Sequence, residues 1–436
     1  MQKIKNKKIK FIFLFPLDIF LTFVGILYFK IFKKNLKFII NFGNMPLGNG
    51  FQNKKKNSKS KEYKFKMKLG FNKLLSLVQL YENPPPNKMF NKNYAFLSST
   101  SNFMKDHFKK YAQTIKKIIN KKNFSILEVG CNDGILLENF KSQDHLGVEP
   151  SKNVCEIAKK KKLNVINKFF NEKLLKTPSL KKKKFDVICG ANVFCHIPNL
   201  EQLFKTAETL LDKNGIFVIE EPYLGDVVEK ISYDQIYDEH IYIFSIHSIN
   251  KIASFFNLEA FHAERQKTHG GSMRYYLSKK NIRKKSSKLK NLVKLEKKLG
   301  LNDYDKLINF KKKCEESKHN LYKKLSKLSK ENNIYGYGAT SKSTTILNYC
   351  GIDNNFVKGI FDTSKTKIGK LTPGSNIPIL DYSTNFKKIK PKLCILFAWN
   401  HFKEICEKEK KELKKGLKFL VHIDKKHMKG YQRYFI

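Results

Sequence analysis

Residues 125–134 read SILEVGCNDG, and this stretch decides the fold. A short apolar run that ends in a glycine is typical of a buried parallel strand, and Gly134 opens a turn before a helix that we predict over Ile135–Phe140. Glycines in such a turn let a ligand approach the backbone closely. The stretch therefore predicts a strand, a turn and a helix that form a ligand crevice at one edge of a parallel sheet.

Similar apolar runs recur along the chain between stretches that have helical spacing. An amphipathic helix is predicted from about residue 101, and further strands are predicted at His145–Glu149, Phe185–Gly190 and Gly215–Glu220. A second strand and glycine turn is predicted at Ile334–Ala339, with later strands at Lys358–Asp362 and Leu393–Ala398. Because strands and helices alternate, we expect an α/β fold with two separate Rossmann-like parallel sheets.

Composition divides the chain into five predicted parts. Residues 1–32 form an apolar extension, and residues 33–100, which include a triple proline, form a small N-terminal module. The first α/β domain occupies residues 101–280. A lysine-rich helical connector over 281–331 then leads to a second α/β domain over 332–436.

The charge balance of the 436 residues is strongly basic, with 86 basic against 38 acidic side chains and a formal net charge of +48. Nearly all of the basic residues are lysines, because the arginines are only Arg265, Arg274, Arg283 and Arg433. Phosphate recognition in nucleic acids relies on arginine as well as lysine. We therefore expect no dedicated nucleic-acid partner.

The chain has eight cysteines, and none of them forms a C-x-x-C pair. This pattern excludes a disulfide framework and a cysteine-based zinc site. It indicates a reducing compartment, and we expect the protein to be cytoplasmic.

Residues 11–29, FIFLFPLDIFLTFVGILYF, are just long enough to span a bilayer. Fourteen of the nineteen are Leu, Ile, Phe or Val, and the one charged residue is Asp18. Lysines flank both ends, so the charge pattern does not set an orientation. Two alternatives remain at this stage: an N-terminal segment that associates with a membrane, and a buried or badly ordered extension.

An acidic residue, Glu149, ends the strand that follows the first glycine turn, where a carboxylate can accept both hydroxyl groups of a ribose. The turn has no third glycine in G-x-G-x-x-G register and no G-K-[ST], which weighs against dinucleotide and P-loop sites. An acidic turn followed by such a carboxylate resembles the class I methyltransferases that bind S-adenosylmethionine; the alternative is a generic turn with an incidental Glu149. The predicted cofactor contacts are Glu128, Gly130, Asn132, Asp133, Gly134, Glu149 and Asn192.

Histidines and carboxylates follow the later strands of the first domain. His196 follows a strand region, and in Tyr237-x-Glu239-His240 a carboxylate and an imidazole are near neighbours, so Glu239 can orient His240 as a general base. A metal centre is an alternative by residue type, but no H-x-x-x-H or comparable spacing supports it, and we assign no metal. Arg274 in a lysine-rich chain indicates a guanidinium fork for a planar or phosphate anion.

The second glycine turn reads YGYGATSKSTT over residues 335–345. Its backbone N–H groups, its hydroxyl groups and Lys342 together suit an anion. Asp362 ends the next predicted strand, where a ribose carboxylate would lie. We assign substrate binding here to Gly336, Gly338, Lys342 and Asp362.

Together, the stretches ILEVGCNDG, YDEHIYIFS, THGGSMR, GYGATSKSTT and LTPGSNIP resemble the nucleotide-sugar C-methyltransferases, from about residue 33 to residue 425. The resemblance implies a small zinc-binding module, a methyltransferase domain that uses S-adenosylmethionine, and a C-terminal Rossmann-like domain. It also implies methylation of a carbon beside the keto group of a nucleoside-diphosphate 4-keto-deoxysugar.

The same resemblance assigns roles to individual residues. It makes His240 the catalytic base and places Tyr237, Glu239 and His196 at the substrate. It gives Tyr94 to the substrate as well, whereas Phe96 holds a second aromatic position without a hydroxyl group. The predicted substrate contacts outside the second glycine turn are Tyr94, His269 and Arg274.

The N-terminal module departs from the family pattern. The family carries two C-x-x-C pairs around its P-L-x-N-x-F and L-V-Q-L stretches, which are present here at 45–51 and 77–80. The four ligand positions, however, fall near Phe29, Phe32, Asn72 and Leu75. Since none of these side chains is a zinc ligand, we expect no zinc and S-adenosylmethionine as the cofactor.

The sequence thus predicts a C-methyltransferase that acts on a small nucleotide-sugar substrate through base-assisted enolate formation, as a monomer or a homodimer. Two alternatives stay open. One is a methyltransferase that acts on RNA, favoured only by the charge. The other is a catalytically silent binding member of the same family.

Overall fold

The computed structural model describes residues 35–53, 62–92, 94 and 97–436. The strands are β1 Lys37–Pro46, β2 Gln52–Asn53, β3 Lys64–Asn72, β4 Leu77–Leu80, β5 Ser125–Val129, β6 Asp144–Val148, β7 Val165–Ile166, β8 Phe185–Ala191, β9 Leu211–Pro222, β10 Tyr242–Ile243, β11 Leu258–Gln266, β12 Ser272–Lys279, β13 Ile334–Tyr337, β14 Val357–Asp362, β15 Lys370–Leu371, β16 Ile379–Asp381, β17 Leu393–Leu396 and β18 Lys418–Leu420.

The α-helices of the described residues are α1 Pro86–Met89, α2 Asn102–Ile119, α3 Lys152–Lys160, α4 Leu200–Leu210, α5 Leu224–Lys230, α6 Ile246–Ser254, α7 Ser287–Leu299, α8 Tyr304–Leu328, α9 Ser341–Cys350, α10 Tyr382–Ile389, α11 Phe402–Lys408 and α12 Lys410–Lys414. The expected α/β class is confirmed. None of the helices in this part of the chain is long and apolar enough to cross a membrane. The segment 11–29 lies outside the described residues.

The central sheet has seven strands in the order β11-β12-β9-β8-β5-β6-β7. Strands β7, β6, β5, β8 and β9 run parallel, and the hairpin of β11 and β12 adds two antiparallel strands beyond β9. Four of the five residues of β5 are buried, as expected for a strand covered on both faces. The order reverses between β5 and β8, which is the switch point where such sheets bind ligands.

Helix α2 packs on one face of this sheet because it is amphipathic. Its buried residues recur every three or four positions, and the side chain of Ser101 accepts a hydrogen bond from Met104 N at its start. The helix ends at Asn120, which takes a left-handed conformation with φ 49°. The amphipathic helix expected from residue 101 is therefore confirmed.

One predicted element differs. We expected a helix over Ile135–Phe140, but the structure has only a 3₁₀ turn over Leu137–Phe140. Every residue from 131 to 137 is buried, so this segment has no solvent-facing side. A helix with one apolar stripe does not satisfy that pattern, and the chain packs as a short turn against the core instead.

The C-terminal sheet has five strands, all parallel, in the order β16-β14-β13-β17-β18. The connector before it is helical, as expected, and consists of α7 and α8. Helix α8 begins where the side chain of Asp303 accepts from Asp305 N. It turns its buried side chains toward the core at Leu307, Phe310, Cys314, Leu321 and Leu325.

The N-terminal module packs onto both domains. Its sheet has the order β1-β3-β4-β10, and β10, which follows His240 by two residues, pairs with Val78 and Gln79 of β4. The short strand β2 pairs with β15 of the C-terminal domain. The module is therefore joined by backbone hydrogen bonds to both neighbours.

An apolar core, with no thiolate at the described ligand positions, fills this module. Phe42, Met45, Phe65, Met67 and Phe71 are all at most 6% exposed. At the two described positions where the family has ligands, Leu75 N donates to Asn72 Oδ1 at 3.1 Å, and both side chains are buried. These two residues do not fit zinc; Phe29 and Phe32 lie outside the described residues.

Candidate active site

A cavity of about 590 Å³ opens at the carboxyl ends of the parallel strands of the central sheet. All three modules contribute to its wall. The first domain supplies the glycine turn and the 237–240 loop, the N-terminal module supplies Asn49, and the C-terminal domain closes the far end. The sequence-predicted residues that line it are Gly130, Asn132, Glu149, Asn192, His196, Tyr237, Glu239, His240, Tyr94, His269 and Lys342.

The glycine turn forms one end of the cavity. Gly130 has φ +64°, and a Cβ there would lie 2.4 Å from Val193 Cγ2, so no side chain fits. Glu149 lies opposite, and its two oxygens accept from Asn132 N at 3.0 Å and Ser151 N at 2.8 Å. Burial raises the pKa of Glu149, while these N–H groups oppose the shift. The carboxylate is thus fixed at the mouth of the crevice.

The polar atoms at this end suit a cationic, hydroxyl-bearing cofactor. Asn192 and Glu149 both line the cavity. Within the described chain, Asn192 Oδ1 is buried without a hydrogen-bond partner. Buried polar atoms without partners are costly, and a ligand can satisfy them. The residues present therefore fit S-adenosylmethionine, whose sulfonium is positive.

Three of the predicted cofactor residues lie outside the cavity lining. Glu128, Asp133 and Gly134 do not line the cavity. Asp133 Oδ2 accepts from Ser99 N at 3.1 Å, which ties the segment after Tyr94 to the turn. Gly134 has φ +83°, and a Cβ there would lie 2.2 Å from Leu163 Cδ1. These residues shape the turn more than they face a ligand.

The hydrogen bonds of His240 define its protonation. Nδ1 lies 2.7 Å from Gln235 O, which can only accept, so Nδ1 carries the proton. Nε2 lies 2.7 Å from Tyr237 Oη, so its lone pair accepts from that hydroxyl group. Burial, and then the nearby His196, holds the pKa of His240 well below its usual range. A neutral imidazole with its basic nitrogen at the cavity is the form that a general base needs.

His196 extends this aromatic cluster. Its ring stacks on His240 with centroids 5.4 Å apart and on Phe90 at 5.6 Å. Burial lowers its pKa to about 3, so it is neutral at pH 7. Its Nε2 is buried and has no partner among the described residues. It is thus available to a bound substrate.

One group within the described chain, Cys195, His196 and His240, brings three possible metal-ligand atoms within 4.8 Å of one another. Both ring nitrogens of His240 are already hydrogen-bonded. A metal there would have to break the bond between His240 and Tyr237. We therefore assign no metal to this cluster.

Glu239 is held from two directions. Its Oε2 accepts from Tyr94 Oη at 3.3 Å, and its Oε1 accepts from Asn49 Nδ2 at 2.7 Å. Sequence reasoning missed Asn49, although the P-L-x-N-x-F stretch that contains it was noted. In the sequence, this stretch marks only the zinc-binding module of the family. Burial raises the pKa of Glu239, and the two donors oppose this.

The C-terminal domain adds cationic groups. Lys342 is 7% exposed and donates from Nζ to His269 O at 3.2 Å and to Asn400 Oδ1 at 3.3 Å. Burial lowers its pKa to about 8. Lys367 also lines the cavity, and burial lowers its pKa as well. Sequence reasoning missed Lys367, because the chain has too many lysines for one to stand out. It also missed Asn400 and His401, which belong to none of the motifs singled out in the sequence.

Three predicted substrate residues of the C-terminal domain do not line the cavity, namely Gly336, Gly338 and Asp362. Asp362 instead accepts from Ala339 N at 2.8 Å and Ser364 N at 2.7 Å. It accepts hydrogen bonds from the backbone of the second glycine turn, as Glu149 does at the first. The cavity-facing part of this turn is the start of α9, at residues 340–342.

Arg274 differs from the expectation of a phosphate fork. It is 3% exposed, does not line the cavity, and directs Nε and Nη2 at Glu220 Oε2, 2.7 and 2.6 Å away. Its guanidinium lies 3.7 Å from the ring centroid of Tyr111, and His107 Nε2 lies 2.6 Å from Glu220. Planarity and stacking, which lysine lacks, account for an arginine at this position.

The sheet order, the glycine turn and the cofactor crevice define a class I methyltransferase that uses S-adenosylmethionine. Residues 103–263 match the family described as a methyltransferase domain, and residues 267–424 match the C-methyltransferase C-terminal domain. The chain is therefore a C-methyltransferase that uses S-adenosylmethionine, as the sequence predicted.

Two named relatives are methyltransferases. The chain is 24% identical to C-methyltransferase NovU of Streptomyces niveus over 336 residues, which are 76% of this chain and 80% of NovU. It is 35% identical over 104 residues to the ubiquinone biosynthesis O-methyltransferase of Pelagibacter ubique (strain HTCC1062), over 22% of this chain and 42% of that protein.

Solved structures resemble part of the chain. The plantazolicin methyltransferase BpumL in complex with SAH covers 39% of this chain with 82% of its own, at 15% identity and a TM-score of 0.32. The PH0226 protein from Pyrococcus horikoshii OT3 covers 43% of this chain with 95% of its own, at 15% identity and a TM-score of 0.34.

Proposed function

We propose that the enzyme methylates the carbon beside the keto group of a nucleotide-linked keto-deoxysugar. The observation that supports this most is the neutral His240, whose basic Nε2 faces a cavity between the cofactor crevice and the cationic C-terminal wall. C-methylation requires a carbon nucleophile, and a proton beside a ketone is the one that a histidine can remove.

In the proposed proton transfer, the hydroxyl hydrogen of Tyr237 bonds first to His240 and then to the ketone of the substrate. With no substrate, the O–H of Tyr237 donates to Nε2 of His240. When a ketone oxygen binds nearby, this hydrogen turns to the ketone and frees the Nε2 lone pair. The C–H bond then breaks, its proton goes to Nε2, and the electron pair forms an enolate that the Tyr237 O–H stabilises. S-adenosylmethionine supplies the electrophilic methyl group when it is bound.

The remaining residues that line the cavity would orient the substrate. The groups that suit a diphosphate are Lys342, Lys367 and the start of α9, since they combine two cationic side chains with the positive end of a helix dipole. Glu239 and His196 lie near the base and suit the sugar. The C-terminal domain would thus bind the nucleotide, and the first domain would bind the sugar.

Hydrogen exchange at carbon tests this proposal. In heavy water, with S-adenosylhomocysteine filling the cofactor crevice, the enzyme should wash deuterium into the carbon beside the ketone of a nucleoside-diphosphate 4-keto-deoxysugar. His240→Asn should reduce both exchange and methyl transfer by about 10²- to 10⁴-fold, because it removes the basic nitrogen. His319→Asn, on the exposed face of α8, is the matched control.

Two results would overturn the proposal. A His240→Asn enzyme that methylates at the wild-type rate would place the base elsewhere. A wild-type enzyme that exchanges no deuterium with any keto sugar, and instead methylates RNA, would replace the substrate class.

A further inference from the structure

We propose that Asn49 of the N-terminal module is a positioning residue that fixes the carboxylate of Glu239 for a hydrogen bond from a sugar hydroxyl group. The inference rests on the proposed function, because it gives Glu239 a hydroxyl group of the sugar to bind. It also gives the N-terminal module a task in the active site that needs no zinc.

The contact itself is short and spans the chain. Asn49 Nδ2 lies 2.7 Å from Glu239 Oε1, although 190 residues separate the two in sequence. Tyr94 Oη donates to the other oxygen at 3.3 Å. Glu239 is 4% exposed, and both Asn49 and Glu239 line the cavity. Each carboxylate oxygen keeps a second lone pair, so the donors orient the group without using up its acceptor capacity.

The backbone beside Asn49 is locked from both sides. Gly48 N donates to Asp238 Oδ1 at 2.8 Å, and Thr344 Oγ1 of α9 donates to Gly48 O at 2.9 Å. A Cβ at residue 48 would lie 2.9 Å from Asp238 Oδ1 and 3.0 Å from Ser341 Cβ, so the loop is wedged between two domains. The amide of Asn49 therefore has a fixed position at the site.

The charges around Glu239 explain why such a donor is needed. Asp238 and Glu239 are adjacent buried carboxylates, and burial and the charge of Glu239 raise the pKa of Asp238 to about 8. Three neutral groups that become anions when they lose a proton also lie near Glu239, namely Tyr94, Tyr237 and Cys195. Lys367 is a nearby cation. Hydrogen bonds from Asn49 and Tyr94 favour the ionised acceptor against this burial.

Substitution of Asn49 tests the inference. Asn49→Ala should lower kcat/KM for the keto-sugar nucleotide by about 10- to 100-fold, as expected for a lost bond to a charged group. The acid limb of its pH profile should move to higher pH, because Glu239 protonates more readily. Asn44→Ala removes the same amide from an exposed position in β1 and should behave as wild type. Calorimetry with S-adenosylmethionine should give unchanged affinity, which shows that the variant is folded.

A double-mutant cycle separates positioning from mere support of the fold. In the Glu239→Gln background, Asn49→Ala should cost less than about threefold, because the carboxylate that it serves is gone. Equal losses in both backgrounds would overturn the inference. If Asn49→Ala loses cofactor binding, Asn49→Asp replaces it: the shape is kept, the donor becomes an acceptor, and the acid limb should move further.

A measurement without substrate distinguishes failure of this inference from failure of the proposed function. The infrared band of the protonated Glu239 carboxyl group, assigned by its loss in Glu239→Gln, should persist to higher pH in Asn49→Ala. If the band shifts while the wild type acts on no keto sugar, the substrate class is wrong and the positioning by Asn49 stands. If turnover is intact and neither the band nor kcat/KM changes in Asn49→Ala, the inference is wrong.

Discussion

The hydroxyl oxygen of Tyr237 lies 2.7 Å from Nε2 of His240, and the ring centroids of the two side chains are 4.0 Å apart. A single hydrogen atom therefore covers the only basic nitrogen of this imidazole, since Nδ1 is bound to Gln235 O. The tyrosine therefore donates to the proposed base when no substrate is bound, and its hydroxyl group can donate to a substrate oxygen that binds beside it.

Tyr237→Phe tests this dual role. The variant keeps the ring and a neutral His240 but loses the donor for the enolate, so kcat should fall by about 10²- to 10³-fold with little change in cofactor affinity. Steady-state kinetics and calorimetry measure the two quantities. Tyr322→Phe, exposed on α8, is the control. Equal kcat for Tyr237→Phe and wild type would exclude a hydrogen bond from Tyr237 in the rate-limiting step.

Glu149→Gln tests the cofactor crevice. The amide keeps the shape and one acceptor oxygen, but it cannot accept from two hydroxyl groups and two N–H groups together. Affinity for S-adenosylmethionine should fall by about 10- to 100-fold. Isothermal calorimetry measures this, with Glu156→Gln on the surface of α3 as the control. Unchanged affinity would remove Glu149 from the cofactor site.

Arg274→Met separates a role in stability from a role in substrate binding. Burial alone would raise the pKa of Glu220, but the charge of Arg274 and the bond from His107 lower it to about 2. Removing Arg274 leaves a buried carboxylate without its cationic partner arginine, so the free energy of unfolding at pH 7 should fall by about 3–5 kcal/mol. Urea denaturation measures this, and the KM for the sugar nucleotide should not rise. A raised KM with wild-type stability would restore the phosphate role predicted from sequence.

The same pair makes stability pH-dependent. The folded pKa of Glu220 lies below its unfolded value, so its contribution is complete above about pH 4.5 and is lost as pH falls toward 2. In Arg274→Met this part of the acid sensitivity should become smaller, because only His107 then opposes the effect of burial on Glu220. Denaturation midpoints at pH 3 and pH 7 provide the comparison.

Lys342 gives a prediction at alkaline pH. Burial lowers its pKa to about 8, so the charge that suits a diphosphate is present below that pH and lost above it. Affinity for a nucleoside diphosphate should therefore weaken as pH rises through about 8. Lys342→Met should bind weakly at every pH, whereas the exposed Lys324→Met should follow wild type. A pH-independent affinity in the wild type would contradict this role.

The expectation that the N-terminal module holds no zinc is also testable. Elemental analysis of the purified protein should find no stoichiometric zinc, and a chelator should leave the melting temperature unchanged. Cys195→Ala controls for metal held by the cluster beside His240. One zinc per chain that persists in Cys195→Ala would mean that the module binds metal through other residues.

Seven strands of the two α/β sheets were predictable because each is a short apolar run, namely β5, β6, β8, β9, β13, β14 and β17. The other five, β7, β11, β12, β16 and β18, were not predicted. The cluster of Tyr237, Glu239 and His240 could be predicted from the sequence because its members are close neighbours along the chain. Asn49 was not, since its partner lies 190 residues away. Arg274 was misjudged for a physical reason: a guanidinium fork fits a buried carboxylate as well as a phosphate, and only the fold shows which one is present.

Strand β10 begins two residues after His240 and is paired with β4 of the N-terminal module. The histidine is thus tethered to a sheet that belongs to a different part of the chain. Local opening of that sheet would release the catalytic loop, so amide protons of 77–80 and 242–243 should exchange with solvent at a common rate. We then expect catalysis to depend on the integrity of the small module, so that cleavage within the module would silence an otherwise intact methyltransferase domain.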